Sequence, residues 1–200
     1  MEPNRFNQIA SKYDTEERIG LAKIILSAVR EEIQIQKDKT LLDYGCGTGL
    51  IGLELFDLVD QIVFIDSSEA MLEILKEKII QRKIDPNKTK VIDSDLTKMK
   101  SKINADIILA SLVLLHVPDT LTLLKQFYSI LNTDGKLIIV DFDKNENISH
   151  PNLHNGFNQL HLKSLLTEVG FKVITIKTFH HGKNIFMNQD ASLLISASSK

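Results

Sequence analysis

Thr40-Leu41-Leu42-Asp43-Tyr44-Gly45-Cys46-Gly47-Thr48-Gly49 is the stretch whose reading decides the fold. An apolar run enters an acid, and glycines follow at three alternate positions. Leu50-Ile51-Gly52-Leu53-Glu54-Leu55 comes next in a helical pattern. The order predicts a strand over 40–44, a glycine turn and a helix over 50–58. Glycine lacks a Cβ, tolerates positive φ and lets a ligand approach the main chain. Asp43 in front of the turn favours a cationic or amine-bearing ligand over a bare pyrophosphate.

The alternation continues outward. Further strands are expected at 61–66, 89–92, 105–110, 136–142, 171–178 and 191–198, and helices at 68–83, 119–132 and 158–169. Strands alternating with helices predict an α/β fold with a largely parallel sheet covered on both faces. Leu137-Ile138-Ile139-Val140 is apolar throughout, as a central strand buried on both sides must be. Only a short link, about 179–190, joins the last two strands. It holds no crossover helix, so an antiparallel pair is expected. Before the sheet, Ile19, Ala22, Ile25, Leu26, Val29 and Ile33 share one face of a helix over 18–33. Phe6, Ile9 and Tyr13 have helical spacing in the segment ahead of it. The chain reads as one domain, an N-terminal helical lid over 1–39 and a core over 40–200.

Two hundred residues allow one sizeable core, and a net charge of −2 gives no overall attraction to nucleic acid or membrane. Lys76, Lys78, Arg82, Lys83, Lys88 and Lys90 cluster in sequence, which fits a solvated helix face and loop. Cys46 is the single cysteine, so no intrachain disulfide can form. That fits a reducing, cytoplasmic setting. Between glycines Cys46 reads as a small residue rather than a nucleophile. No signal peptide or membrane span is expected, and no His, Cys or Asp spacing suggests a metal; His180-His181 alone is too little.

Three acids close three successive strands. Asp66 ends the second, twenty-one residues after Gly45. An acid there can accept two hydrogen bonds from ribose hydroxyls, at the carboxyl edge where open α/β sheets bind ligands. In Asp93-Ser94-Asp95-Leu96, Asp95 can accept from an exocyclic amine and Leu96 can cover an aromatic base. Each acid alone could instead serve a cap or turn, with Ser67 or Ser68 capping the next helix. All three in order beside a glycine turn make one ligand-sized row.

With these residues the chain resembles the class I S-adenosylmethionine-dependent methyltransferases. Leu41 to Gly49 matches the family's first motif. Ile65-Asp66-Ser67-Ser68-Glu69-Ala70-Met71-Leu72 is similar to its acidic second motif, and Asp93 to Leu96 to its adenine-binding turn. Ala105 to Asp119 resembles the fourth-strand segment, and Asp134-Gly135-Lys136-Leu137 the turn before the fifth strand. The likeness covers residues 40–142 and extends more weakly to Phe6–Asp14. That segment resembles the lid of small-molecule methyltransferases such as the quinone-biosynthesis group.

The resemblance implies a Rossmann-like, seven-stranded, mostly parallel sheet with an antiparallel last strand. It implies S-adenosylmethionine as cofactor and a small-molecule methyl acceptor. Backbone at Gly45, Gly47 and Gly49 would hold the methionine portion, with Asp43 supporting the loop or the amino group. Asp66, with Ser67 beside it, would bind the ribose. Asp95 would meet the adenine amine between Met71 and Leu96. Ser111 and Leu112 would lie near the sulfonium, and Tyr13 could reach the methionine end or simply anchor the lid. No dedicated base is required. His150 and His154 follow the fifth strand, where substrate loops are expected. With His116 they are the acid–base candidates.

Two other readings stand. Gly47-Thr48-Gly49-Leu50-Ile51-Gly52 satisfies G-x-G-x-x-G, so a nicotinamide-dependent oxidoreductase is the rival enzyme. Against it, the glycines begin two residues early, Asp43 would face a pyrophosphate, and the sheet ends antiparallel. A non-catalytic S-adenosylmethionine-binding regulator is the other. The fourth strand ends Ser111-Leu112-Val113-Leu114, unlike the Asn/Asp-Pro-Pro-aromatic pattern of nucleobase amino methylation. Without a Pro-Cys pair, cytosine C5 chemistry is disfavoured.

Overall fold

Leu41, Leu42 and Ile62 to Ile65 are buried, as continuous apolar runs between covered faces should be. They belong to the first strands of the computed structural model, which describes residues 3–96, 103–146 and 154–200. The strands are β1 (Gln36–Tyr44), β2 (Val59–Asp66), β3 (Thr89–Asp93), β4 (Ala105–Ser111), β5 (Leu131–Phe142), β6 (Lys172–Phe186) and β7 (Gln189–Ser199). They form one seven-stranded sheet in the order β3-β2-β1-β4-β5-β7-β6. The flanking helices are α1 (Pro3–Ile9), α2 (Glu16–Glu32), α3 (Glu69–Gln81), α4 (Thr120–Ile130) and α5 (Gln159–Val169). The expected Rossmann-like α/β architecture is the one observed. The chain divides into two compact units, Met1–Ser101 and Lys102–Lys200.

In the first unit β1 pairs parallel with β2, and β2 parallel with β3. The registers Tyr44↔Ile65 and Asp66↔Asp93 line up the three strand ends. Thr15 caps α2 by accepting the Arg18 amide, and Ser68 caps α3 by accepting the Met71 amide. Of the two serines proposed as caps, Ser68 does the work. The helix expected over 50–58 does not form: only a 3-10 turn, Gly52–Glu54, follows the glycines. Gly49 and Gly52 weaken helical order there, and Gly52 is held against β1 and β2. A Cβ on it would stand 2.3 Å from Asp43 Oδ2 and 2.7 Å from Phe64 Cε1.

In the second unit β4 and β5 pair parallel, while β7 runs antiparallel to both β5 and β6. Leu137 to Val140 are fully buried. The link expected over 179–190 is shorter than the sequence suggested. β6 continues to Phe186, and β7 begins at Gln189. Met187 and Asn188 turn the chain with φ of 52° and 59°, the positive pair of a type I′ hairpin. No glycine marks that turn. Phe142 and Phe186 stack with ring centroids 4.1 Å apart and help hold the long hairpin to β5.

Candidate active site

The first unit gathers the glycine turn and the acids. Gly45, Gly47 and Gly49 have φ of 69°, 52° and 78°. The amides of Gly45 and Cys46 both donate to the Ile65 carbonyl, at 2.7 and 3.1 Å, tying the turn to the end of β2. The glycines do different things. A Cβ on Gly49 would stand 2.5 Å from Leu75 of α3, so this glycine serves packing. A Cβ on Gly47 would meet nothing within 4 Å: its outer face is open. That open backbone is where a ligand can lie against the turn.

Asp43 is buried and accepts the Gly52 amide; burial, then the charge of Asp66, pushes its carboxyl up to about 7. Of the two roles open to Asp43, support of the loop is the one its geometry displays. Asp66 is only 7% exposed, less than a solvent-facing strand end suggests. Its Oδ2 accepts the Gly47 amide and its Oδ1 the Ser68 amide, each at 2.9 Å. Burial raises its carboxyl, and the amides of Gly47, Ser68 and Ser67 pull the other way. The second acid and the glycine turn are therefore one hydrogen-bonded structure. Ser67 is half-buried beside it. Cys46 is buried and its thiol pushed up, by burial first and then by Asp43 and Asp66, the opposite of an activated nucleophile.

At the end of β3 the Asp95 carboxylate accepts the Tyr44 hydroxyl at 3.1 Å. Leu96 is buried next to it, and Met71 is buried in the first turn of α3. The N-terminal segment closes on the same elements. Asn7 Oδ1 accepts the Ser68 hydroxyl at 2.6 Å. Asp14 accepts the Thr48 hydroxyl and the Lys78 ammonium, both at 2.6 Å, and Lys78 also donates to the Thr48 carbonyl at 2.9 Å. Tyr13 between them is half-buried under the Arg18 guanidinium, 4.3 Å from its ring centroid. Its hydroxyl is raised by burial, lowered by Arg18 and raised by Asp66 and Asp14, which places the ring within the field of Asp66. Asn7, Asp14, Thr48 and Tyr44 are not singled out by the sequence, and Lys78, expected on a solvated face, instead pairs with Asp14. The adjacent Tyr13-Asp14 pair was the available signal for the clasp.

In the second unit β4 ends at Ser111, whose buried hydroxyl has no hydrogen-bond partner among the described residues. Leu112 follows with φ of 55°, a left-handed conformation rare for a bulky residue. Its amide donates to the Val140 carbonyl at 2.8 Å. An orphaned hydroxyl next to a strained residue is a combination found at functional sites. Asp141, fully buried, accepts the Leu115 amide at 3.2 Å and the Phe142 amide at 2.8 Å. It holds the turn after β4, and burial pushes it up to about 7. His154 braces the same turn: its amide donates to Leu115 O, and Nε2 lies 3.0 Å from Val117 O. A carbonyl only accepts, so Nε2 carries the proton and the ring acts as a clip. His116 lies half-buried in the 3-10 turn Leu114–His116. His150 lies outside the described residues.

The family described as methyltransferase domain matches residues 35–189. The chain belongs to this family, within the class I S-adenosylmethionine-dependent methyltransferase superfamily. It is 24% identical over 191 residues to an uncharacterized methyltransferase of Schizosaccharomyces pombe, with 76% of this chain and 67% of that protein covered. It is 27% identical over 143 residues to a demethylmenaquinone methyltransferase of Oceanobacillus iheyensis, covering 68% of this chain and 59% of that protein. The crystal structure of an S-adenosylmethionine-dependent methyltransferase from Aquifex aeolicus shares the fold, with a TM-score of 0.73 at 19% identity. That match covers 100% of this chain and 98% of the other. The chain thus spans about 59–67% of the length of the two curated relatives.

Proposed function

We propose that this chain is an S-adenosylmethionine-dependent methyltransferase of one domain, with residues 1–39 as lid, acting on a small-molecule acceptor in the cytoplasm. The observation that carries the reading is the bond from the Gly47 amide to Asp66, which joins the ribose-side acid to a glycine turn with an open face. The site's charge supports the same ligand. Asp43 and Asp66 are both buried, burial raises both carboxyls, and the charge of Asp66 raises Asp43 further, so a cation nearby relieves them. A pyrophosphate would add to the repulsion, which disfavours a nicotinamide dinucleotide.

When bound, S-adenosylmethionine would supply an electrophilic methyl carbon on a sulfonium: a bond from the acceptor's nucleophile to that carbon would form as its bond to sulfur breaks, and S-adenosylhomocysteine would leave with the electron pair. The chain's own part is binding, orientation and exclusion of water. Gly45, Gly47 and Gly49 would hold the methionine portion, Asp66 and Ser67 the ribose, and Asp95 with Met71 and Leu96 the adenine. Asp14 and Asn7 would close the lid, with Tyr13 beneath it. Ser111 and Leu112 would face the methyl group, while Asp141 and His154 hold the turn that follows them. His154 serves the turn rather than a proton transfer.

Acceptor-dependent formation of S-adenosylhomocysteine tests the reading. Hydroxylated, amino and quinol small molecules are supplied in turn, and the product is followed by mass spectrometry. Formation above the acceptor-free rate is expected. Tight cofactor binding with no acceptor-dependent product would favour the regulatory reading instead.

A further inference from the structure

Tyr44 stands at the end of β1, and its neighbour Asp43 points to the opposite face, as side chains alternate along a strand. The strand order puts β2 between β1 and β3. The Tyr44 phenol nonetheless reaches the turn after β3 and donates to Asp95 Oδ1 at 3.1 Å. Tyr44 is 2% exposed, so the ring is fixed by packing and its hydroxyl cannot wander. Burial, then the charge of Asp95, keeps the phenol protonated, so it remains a donor. A carboxylate offers about four acceptor positions around two oxygens. A bond to one oxygen from a rigid donor sets the plane in which the rest are presented.

We propose that Tyr44 is a positioning residue for base selectivity: its buried hydroxyl orients the Asp95 carboxylate to select a 6-amino over a 6-oxo purine. The inference rests on the reading of Asp95 as the acceptor of the adenine amine. It adds a residue of β1 to the selectivity of a subsite on the turn after β3. It also gives the residue between Asp43 and Gly45 a task that a same-sized apolar side chain cannot perform.

The test uses the full chain and two probes, S-adenosylhomocysteine and its 6-oxo analogue S-inosylhomocysteine, titrated by calorimetry. Wild type should favour the adenosyl ligand by about ten-fold or more, the size of one hydrogen bond to a charged group. Tyr44→Phe removes one oxygen atom, so it should keep its inosyl affinity and lose most of the preference. Asp95→Asn gives an independent measure. With Tyr44 present, the phenol holds the carboxamide oxygen and turns the NH2 toward the base, so the preference should reverse toward the inosyl ligand. In Asp95→Asn/Tyr44→Phe the amide can flip, and the reversal should shrink.

A Tyr44→Phe protein that discriminates as wild type does, or weakens both ligands equally, overturns the inference. So does an Asp95→Asn protein with no reversal, whether or not the Phe variants fold. Wild type that binds both ligands equally removes Asp95 as the amine reader. Wild type that binds neither removes the cofactor reading itself.

Discussion

Two glycines of the same loop should fail in opposite ways when given a methyl group. At Gly52 a Cβ would stand 2.3 Å from Asp43 Oδ2 and 2.7 Å from Phe64 Cε1, both on buried residues. Side-chain carbons do not approach that closely, so Asp43 must move and its bond to the Gly52 amide is lost. Overpacking costs about 1–3 kcal/mol, and loss of a bond to a carboxylate about 1.5–3 kcal/mol. Gly52→Ala is therefore expected to cost about 2.5–6 kcal/mol, which at about 2–4 °C per kcal/mol lowers Tm by about 5–24 °C. At Gly47 the space is open, and the cost is that of an L-residue at φ of 52°, about 1–2 kcal/mol. Gly47→Ala should melt only about 2–8 °C lower. Its methyl group, however, projects from the face where the ligand is placed. Thermal unfolding by circular dichroism, with calorimetric titration of S-adenosylhomocysteine, separates the two effects. Gly47→Ala should fold and lose binding, and Gly52→Ala should lose stability first. A Gly47→Ala protein with wild-type affinity, or a Gly52→Ala protein with wild-type Tm, would refute the reasoning.

Three further outcomes follow from the same geometry. Asp66→Ala should lower both cofactor affinity and Tm, because it strips acceptors from the Gly47 and Ser68 amides at a residue 7% exposed; titration and melting of one preparation check this, and an unchanged Tm contradicts it. Asp43 and Asp141 stand at about 7 when folded against 3.8 ordinarily, so between about pH 4 and 7 the folded chain keeps protons that the unfolded chain releases. Stability should therefore fall as pH rises through that window, with Tm lower at pH 8 than at pH 5.5; a Tm that rises over this range reverses the sign. Asp14→Ala removes the acceptor shared by Thr48 and Lys78 and should expose Lys12 to faster tryptic cleavage. Cleavage at the wild-type rate would mean the clasp does not hold the segment.

What the sequence disclosed, and what it hid, divide along physical lines. Leu41-Leu42-Asp43 and Ile62 to Asp66 were readable because a strand buried on both faces needs a continuous apolar run, and in both an acid breaks that run. The strand ends fixed the acid row for the same reason. The helix over 50–58 was misread because its apolar periodicity is real, yet Gly52 is demanded by Asp43 across the turn rather than by local propensity. The hairpin at Met187-Asn188 was invisible since neither residue advertises positive φ. Leu112 likewise gives no local sign of its strained backbone. The clasp of Asp14 on Thr48 and Lys78, and the reach of Tyr44 to Asp95, join residues thirty-four to sixty-four positions apart. No local periodicity reports such polar pairs.

The central claim is that the glycine turn and its acids take the adenosyl-sulfonium cofactor, not a dinucleotide. Calorimetry of the full chain with S-adenosylhomocysteine and, separately, with NADH tests it most directly. Saturable binding of S-adenosylhomocysteine and none of NADH is the expected result. Tight NADH binding with no heat from S-adenosylhomocysteine would contradict it.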